Sequence, residues 1–360
     1  MNSMARLGII FAVLTLLYLT GCASIGPGSV SRDRFAYTDA ISQSWKKQML
    51  LNMVKIRYSD SPVFLEVASI ISQYGLETEF NASFSWDDFL PGNTQKVGGR
   101  GRYIERPTVT YQPLMGDKFT RSLMTPIPTA GLMTLLESGW RADLLFRLCI
   151  QSANGIYNRR AGNMDLFEPD PEFYALISSL RKIQEARAVG IRVMETKDKK
   201  RASVMFFRKK GIDPEIAVEI NKVRKLLALD PDTQKLRVVY GALQQDDEEI
   251  ALLSRSMLEI LLELSSHIDV PETHVEENRA FPTFVGDAAE DYGLPPLIRV
   301  QSDKGEPDEA FVSVSYRKHW FWIDDRDLRS KRVFTFLMYL FSLAERGEPQ
   351  QAPVLTIPTG

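Results

Sequence analysis

Leu76-Glu77-Thr78-Glu79-Phe80-Asn81-Ala82-Ser83-Phe84-Ser85-Trp86 alternates apolar or small side chains with polar ones. Successive side chains on a strand point to opposite faces, so Leu76, Thr78, Phe80, Ala82, Phe84 and Trp86 share one face. Glu77, Glu79, Asn81, Ser83 and Ser85 take the other. The pattern predicts a half-buried strand within Val63 to Trp86. Pro91 to Gly101 then reads as a Gly-rich loop and Tyr103 to Gln112 as a second strand, which together predict a long hairpin. Each strand is long enough to cross an outer membrane, and an oligomeric export component would need such a hairpin to project free of the core.

Upstream, Ile41, Trp45, Met49, Met53 and Ile56 recur at helical spacing, which predicts a helix from Tyr37 to Tyr58 closed by Ser61-Pro62. Downstream, short helices are expected over Phe119 to Met124 and Thr129 to Glu137. Leu144 to Tyr157 fits either a buried strand or a helix, because periodicity does not separate the two there. Asp170-Pro171-Glu172 and Asp213-Pro214-Glu215 each open a helix with Asp as N-cap and Pro at the first helical position.

Ile191 to Glu195 and Ala202 to Phe207 predict a hairpin around Lys197-Asp198-Lys199-Lys200, and Leu236 to Tyr240 a strand. Asp246 to His267 reads as one helix with acids in its first turn. Leu297 to Gln301 and Ala310 to Ile323 read as strands, and Asp327 to Ala344 as a helix that is apolar on most sides. Irregular alternation with many hairpins makes the class α+β: antiparallel hairpins and sheets packed with several amphipathic helices, ending in a strand followed by a buried helix. A boundary near Asn158 to Pro169 would divide an N-terminal α+β subdomain, residues 36–165, from a C-terminal one, residues 166–346; residues 347–360 form a Pro-rich tail.

Asp324, Asp325 and Asp327 put three carboxylates into four residues, a pattern suited to a divalent cation or to acid–base work. The same acids also suit the first turn of the helix that follows. Trp320 and Trp322 are expected to share a strand face with Val312, Val314 and Tyr316, as core or as a stacking row for sugar or lipid. An envelope hydrolase using carboxylates would draw on Asp324, Asp325 and Glu66, and would need two of them about 5–9 Å apart in a cleft.

Gly98-Gly99-Arg100-Gly101-Arg102 lacks the Lys-Ser/Thr of a phosphate loop and opens no helix, so it reads as the hairpin tip. His267, His274 and His319 do not have the spacing of a zinc helix, and the chain holds no Gly-x-Ser-x-Gly elbow. No residue is assigned to catalysis, a cofactor or a metal. The two cysteines, Cys22 and Cys149, exclude a Cys-rich metal site, and Cys149 in its apolar stretch reads as a small buried hydrophobe.

The leader carries Arg6, then a nearly unbroken apolar run from Leu7 to Leu19, then Leu19-Thr20-Gly21-Cys22. The run is short for a membrane span of about 20 residues and fits a signal-peptide core of about 7–15. Leu-Thr-Gly-Cys resembles the lipobox of bacterial lipoproteins. The resemblance implies removal of residues 1–21, a diacylglycerol on the Cys22 sulfur and acylation of its new amino group.

One acyl chain holds a protein only marginally, and several on one residue anchor it without a transmembrane helix. The partner so implied is a lipid bilayer, with other envelope proteins besides, and Ala23 rather than Asp after the cysteine implies the outer membrane, facing the periplasm. Residues 22–35 would form a flexible tether. Without its leader the chain has 43 Lys+Arg against 46 Asp+Glu, a balance that gives no electrostatic pull toward nucleic acid. The rest of the chain resembles uncharacterised envelope lipoproteins of Gram-negative bacteria, which implies an accessory or interaction subunit.

Overall fold

The computed structural model describes residues 27–84, 95–161, 166–195, 201–208, 211–283, 292 and 294–344. Cys22 and the Pro-rich tail lie outside them. The fold is α+β, and the chain divides into two compact units, Val63–Met115 and the remainder.

The smaller unit is one antiparallel ribbon, β1 (Leu65–Phe84) against β2 (Gln95–Pro113). The first strand lies inside its expected bounds, Val63 to Trp86, whereas the second begins eight residues before Tyr103. Gly98 to Arg102, read as a hairpin tip, instead lie within β2, opposite Asn81, Phe80, Glu79, Thr78 and Glu77. Glycine weakens a strand without forbidding it, and the long uninterrupted partner supplies the ladder. At the base, Leu114 N–H donates to the Phe64 carbonyl at 2.9 Å, and both side chains are buried.

In the larger unit, α1 (Pro27–Arg57) begins inside the stretch read as tether, with Pro27 in the first-residue position that its fixed φ favours. Its buried stripe is Met49, Leu50, Met53 and Val54, whereas Ile41, Trp45 and Ile56 are half-buried. After a short helix, α2 (Gly116–Phe119), and a π-turn come α3 (Thr129–Glu137) and α4 (Ala142–Cys149). The ambiguous stretch from Leu144 is therefore both things: helix to Cys149, then strand β3 (Ile150–Ala153).

Further along lie β4 (Ile156–Tyr157), β5 (Arg160–Ala161), β6 (Leu166–Phe167), α5 (Pro171–Glu185), β7 (Val189–Glu195) and β8 (Arg201–Phe207). Then follow α6 (Pro214–Leu226), β9 (Leu236–Tyr240), β10 (Glu249–Ser254), α7 (Met257–Ser265) and α8 (Glu272–Glu276). A mixed sheet runs β4-β3-β10-β9-β8-β7, parallel only between β10 and β9. The boundary expected near residues 158–169 does not separate two sheets, because β3 and β4 precede it and the other four strands follow it.

The helix expected from Asp246 to His267 is a strand followed by a helix. Ile250, Ala251 and Leu252 are buried at consecutive positions in an inner strand, where strands read as apolar runs rather than alternations. The helix starts at a capping box: Ser256 Oγ accepts from Glu259 N–H, and the Glu259 carboxylate accepts from Ser256 N–H.

The last third forms a second sheet, β11 (Gln301–Asp303), β13 (His319–Asp324) and β12 (Ala310–Tyr316) in that order, and then α9 (Leu328–Ala344). Val333, Phe334, Phe336, Leu337, Leu340 and Phe341 of α9 are all buried. The helix α1 packs on β12 and α7, and α9 packs on α7.

The centre of this unit is ionic. Arg255, about 1 % exposed, donates to the carbonyls of Arg147 at 3.0 Å and Leu148 at 3.3 Å, and also to that of Arg159. Glu263 lies 3.7 Å from Arg255, 3.4 Å from Arg159 and 3.8 Å from His267. Burial alone would push the Glu263 carboxyl upward, but Arg255, His267 and Arg159 reverse this and hold it near about 2. Buried charge of this kind is tolerated only when paired and hydrogen-bonded.

Candidate functional site

The acid turn before α9 is occupied by its own neighbourhood. Asp327 is the N-cap: one oxygen accepts from Ser330 N–H at 3.0 Å and the other from Ser330 Oγ at 2.6 Å. Burial pushes its carboxyl up, and the Ser330 hydrogen bonds outweigh that and hold it below the usual range. Asp324 accepts from Arg326 N–H at 2.7 Å, and Asp325 pairs with Lys331 at 2.6 Å. Glu66 belongs to the ribbon, a different unit from these aspartates.

Trp320 and Trp322 do not share a strand with Val312, Val314 and Tyr316. The predicted single strand is a hairpin that turns at Arg317 and Lys318, both at positive φ (48° and 67°). Such a two-residue turn matches strand twist but is usually advertised by Asn or Gly, so neither residue announced it. Register puts Val312 opposite Ile323 and Val314 opposite Phe321, all four buried, and Ser313 opposite Trp322 and Ser315 opposite Trp320. The tryptophans are half-buried on the face away from the core.

The fold assembles two groupings that spacing did not reveal. In the first, Tyr58 Oη lies 2.7 Å from His274 Nδ1, and the His274 and His319 ring centroids are 4.8 Å apart. Beside them Tyr316 Oη donates to Asp60 at 2.8 Å, and the Arg317 guanidinium covers both tyrosine rings. Burial, then His319 and Arg279, pulls His274 below the ordinary histidine value, and burial pushes the Tyr58 phenol up. Both groups are therefore neutral at pH 7, which suits a hydrogen-bonded clasp between the end of α1, α8 and the β12–β13 turn.

The second grouping is a groove between α4 and α9. Two adjoining cavities of about 300 and 540 Å³ share Arg141, Leu144, Leu328 and Arg332, a size range typical of small-molecule sites. Leu297, Val333, Trp140 and Phe311 line them as well. The Trp140 ring lies 4.3 Å from that of Phe336, and Leu328 is 57 % exposed.

Arg141, Arg147, Arg329, Lys331 and Arg332 surround this apolar floor. Arg141 grips Asp143 through two hydrogen bonds of 2.9 and 2.8 Å, while Arg147 and Arg329 donate to the carbonyls of Pro295 and Pro296. Burial, then the like charge of Arg147 and Arg141, lowers the Arg329 pKa. Among the lining residues Asp143 is the carboxylate against five cations, with Glu185 acting on Arg141, Asp325 on Lys331 and Asp327 on Arg329 from outside the lining, so the lining itself is cationic. A sequence signal existed in Arg329-Ser330-Lys331-Arg332, but its meeting with Arg141 and Arg147 is tertiary.

Among the described residues no cluster of three or more His, Cys, Asp or Glu is placed to hold a metal ion, and no helix is long and apolar enough to cross a membrane. Compared with protein families, with curated proteins and with solved structures, the chain matches none.

Proposed function

We propose that the chain is a lipid-anchored protein of the bacterial envelope, held in the outer membrane through acylated Cys22 and facing the periplasm. It acts by binding, as an accessory or interaction subunit of an envelope assembly. The observation that carries the binding role is the contrast at the two sides of the α9 N-terminus. The acids that were candidates for chemistry are committed to capping and ion pairing. The adjoining groove offers an apolar floor under a cationic rim, the combination that buries a ligand and orients its charge. Anchoring is supported by the lipobox alone.

The test has two arms. Replacing Cys22 by Ser is expected to abolish the mass of the acyl chains and to move the protein out of the membrane fraction. Purification of the tagged protein from membranes is expected to recover a stable complex that Arg332→Glu or Leu328→Glu diminishes. Recovery of the protein alone, together with turnover of a cell-wall substrate, would overturn the binding role.

A further inference from the structure

The groove between α4 and α9 runs from a cluster of arginines to a pair of aromatic rings. Arg141, Arg147, Arg329 and Arg332 line the cavity of about 300 Å³, together with Leu297 and Val333. The adjoining cavity of about 540 Å³ contributes the Trp140 and Phe311 rings and Lys331. Because Arg141, Leu144, Leu328 and Arg332 line both, one occupant can extend from the arginine end to the aromatic end. Long cationic side chains lay their methylene stems along apolar surface and keep the charge at its edge, so Arg141 and Arg332 serve both parts. Both volumes lie in the small-molecule range, which favours a slender ligand over a folded partner.

The arginine end is cationic. Arg147 Nη1 and Arg329 Nη2 both donate to the Pro295 carbonyl, at 2.7 and 2.9 Å, an acceptor that carries no net charge. Burial, and then the like charges of Arg147 and Arg141, lower the Arg329 pKa and outweigh Asp143 and Asp327. Asp143 is buried, and Arg141 engages both of its oxygens. Outside the lining, Glu185 acts on Arg141 and Asp325 pairs with Lys331. Arg332 is exposed, and among the described residues no hydrogen bond or ion pair engages its side chain. Guanidinium groups bind phosphate or carboxylate oxygens two at a time, so an anionic head suits this end. The exposed Leu328 and the two rings suit an apolar chain.

We propose that the groove takes a single-chain anionic lipid, its phosphate or carboxylate head among Arg141, Arg147, Arg329 and Arg332 and its acyl chain along Leu144, Leu328, Trp140 and Phe311. This deepens the binding role proposed above, and rests on it, because an anchored chain lies beside the bilayer that supplies such a lipid.

The test uses the full chain, freed of detergent, on phosphatidylcholine vesicles. Three probes carry the same acyl chain with a photoactivatable diazirine: palmitate, lysophosphatidate and zwitterionic lysophosphatidylcholine. Labelled residues are mapped by mass spectrometry after irradiation. Palmitate and lysophosphatidate are expected to label Trp140, Leu144, Phe311 or Leu328 about tenfold or more above the zwitterionic probe. Whichever anionic probe labels more strongly names the head, and either order supports the proposal. Arg332→Glu and Leu328→Glu are each expected to cut this labelling about tenfold, with the thermal midpoint unchanged because both side chains are exposed.

Equal labelling by all three probes, or labelling confined to residues outside the groove, overturns the proposal. So does an Arg332→Glu chain that labels like the parent. A membrane-purified complex that Leu328→Glu weakens, with no probe in the groove, assigns the floor to a protein segment; that outcome overturns the lipid and leaves the binding role standing. Labelling as expected in a chain recovered from membranes without partners overturns the accessory role and leaves the lipid site.

Discussion

The larger unit and the ribbon solve the problem of backbone polarity in opposite ways. In the larger unit, strands are stacked six deep and even the centre of the core is an arginine whose guanidinium reaches three carbonyls. The ribbon has two strands, paired to each other and to no third described strand. One unit embeds its inner strands between neighbours and the other has a single strand pair. A many-stranded packed core supplies more stability than one strand pair, so substitutions should have different consequences in the two places.

The largest expected effect is at the ionic centre. Arg255→Ala strips three carbonyls of their donor and leaves Glu263 short of a cation, and should cost about 3–5 kcal/mol, read as a large fall in the thermal midpoint. A fall of only a degree or two would mean that water or Arg159 replaces Arg255, and the contrast would weaken.

Next comes acid. The folded Glu263 carboxyl sits near about 2, below its ordinary value of 4.5, so its contribution is fully present above about pH 4.5 and is lost as pH falls toward 2. Thermal melts across that window should show progressive loss, blunted in Glu263→Gln. A flat profile would remove Glu263 from the account.

Smaller again is the α9 cap. Asp327→Ala should cost about 1 kcal/mol by denaturant titration, and Asp325→Ala, with its exposed ion pair, less than about 0.5. Equal losses would mean that the acid turn has a role beyond capping. Smallest is Tyr111→Ser on the ribbon, where Tyr111 is 57 % exposed. Its effect on the melting of the chain should fall within about 0.5 kcal/mol, and a larger one would show that the two units share their stability.

Local grammar carried much of this fold in the sequence. The Asp-Pro-Glu starts of α5 and α6, the strand at Leu236 to Tyr240 and the buried stripe of α9 are all set by residues a few positions apart. Failures occurred where distant partners decide. Ile250 to Leu253 reads as part of a helix and is a strand because β3 and β9 flank it, although Ser256 and Glu259 marked the true helix start. Arg317-Lys318 turns the chain back without a turn residue, which moved both tryptophans to another face. For the groove, Arg141 and Arg332 lie nearly two hundred positions apart, and no spacing rule links them.

The base of the ribbon has one more implication. Phe64 and Leu114 stand one hydrogen bond apart, so the chain leaves and returns through a single gap narrow enough for a tight turn to bridge. Lengthening the ribbon by two residues per strand would preserve which side each of its residues faces. Ribbon length is thus a property that evolution, or an engineer, could adjust in even steps, keeping the alternation of its faces intact.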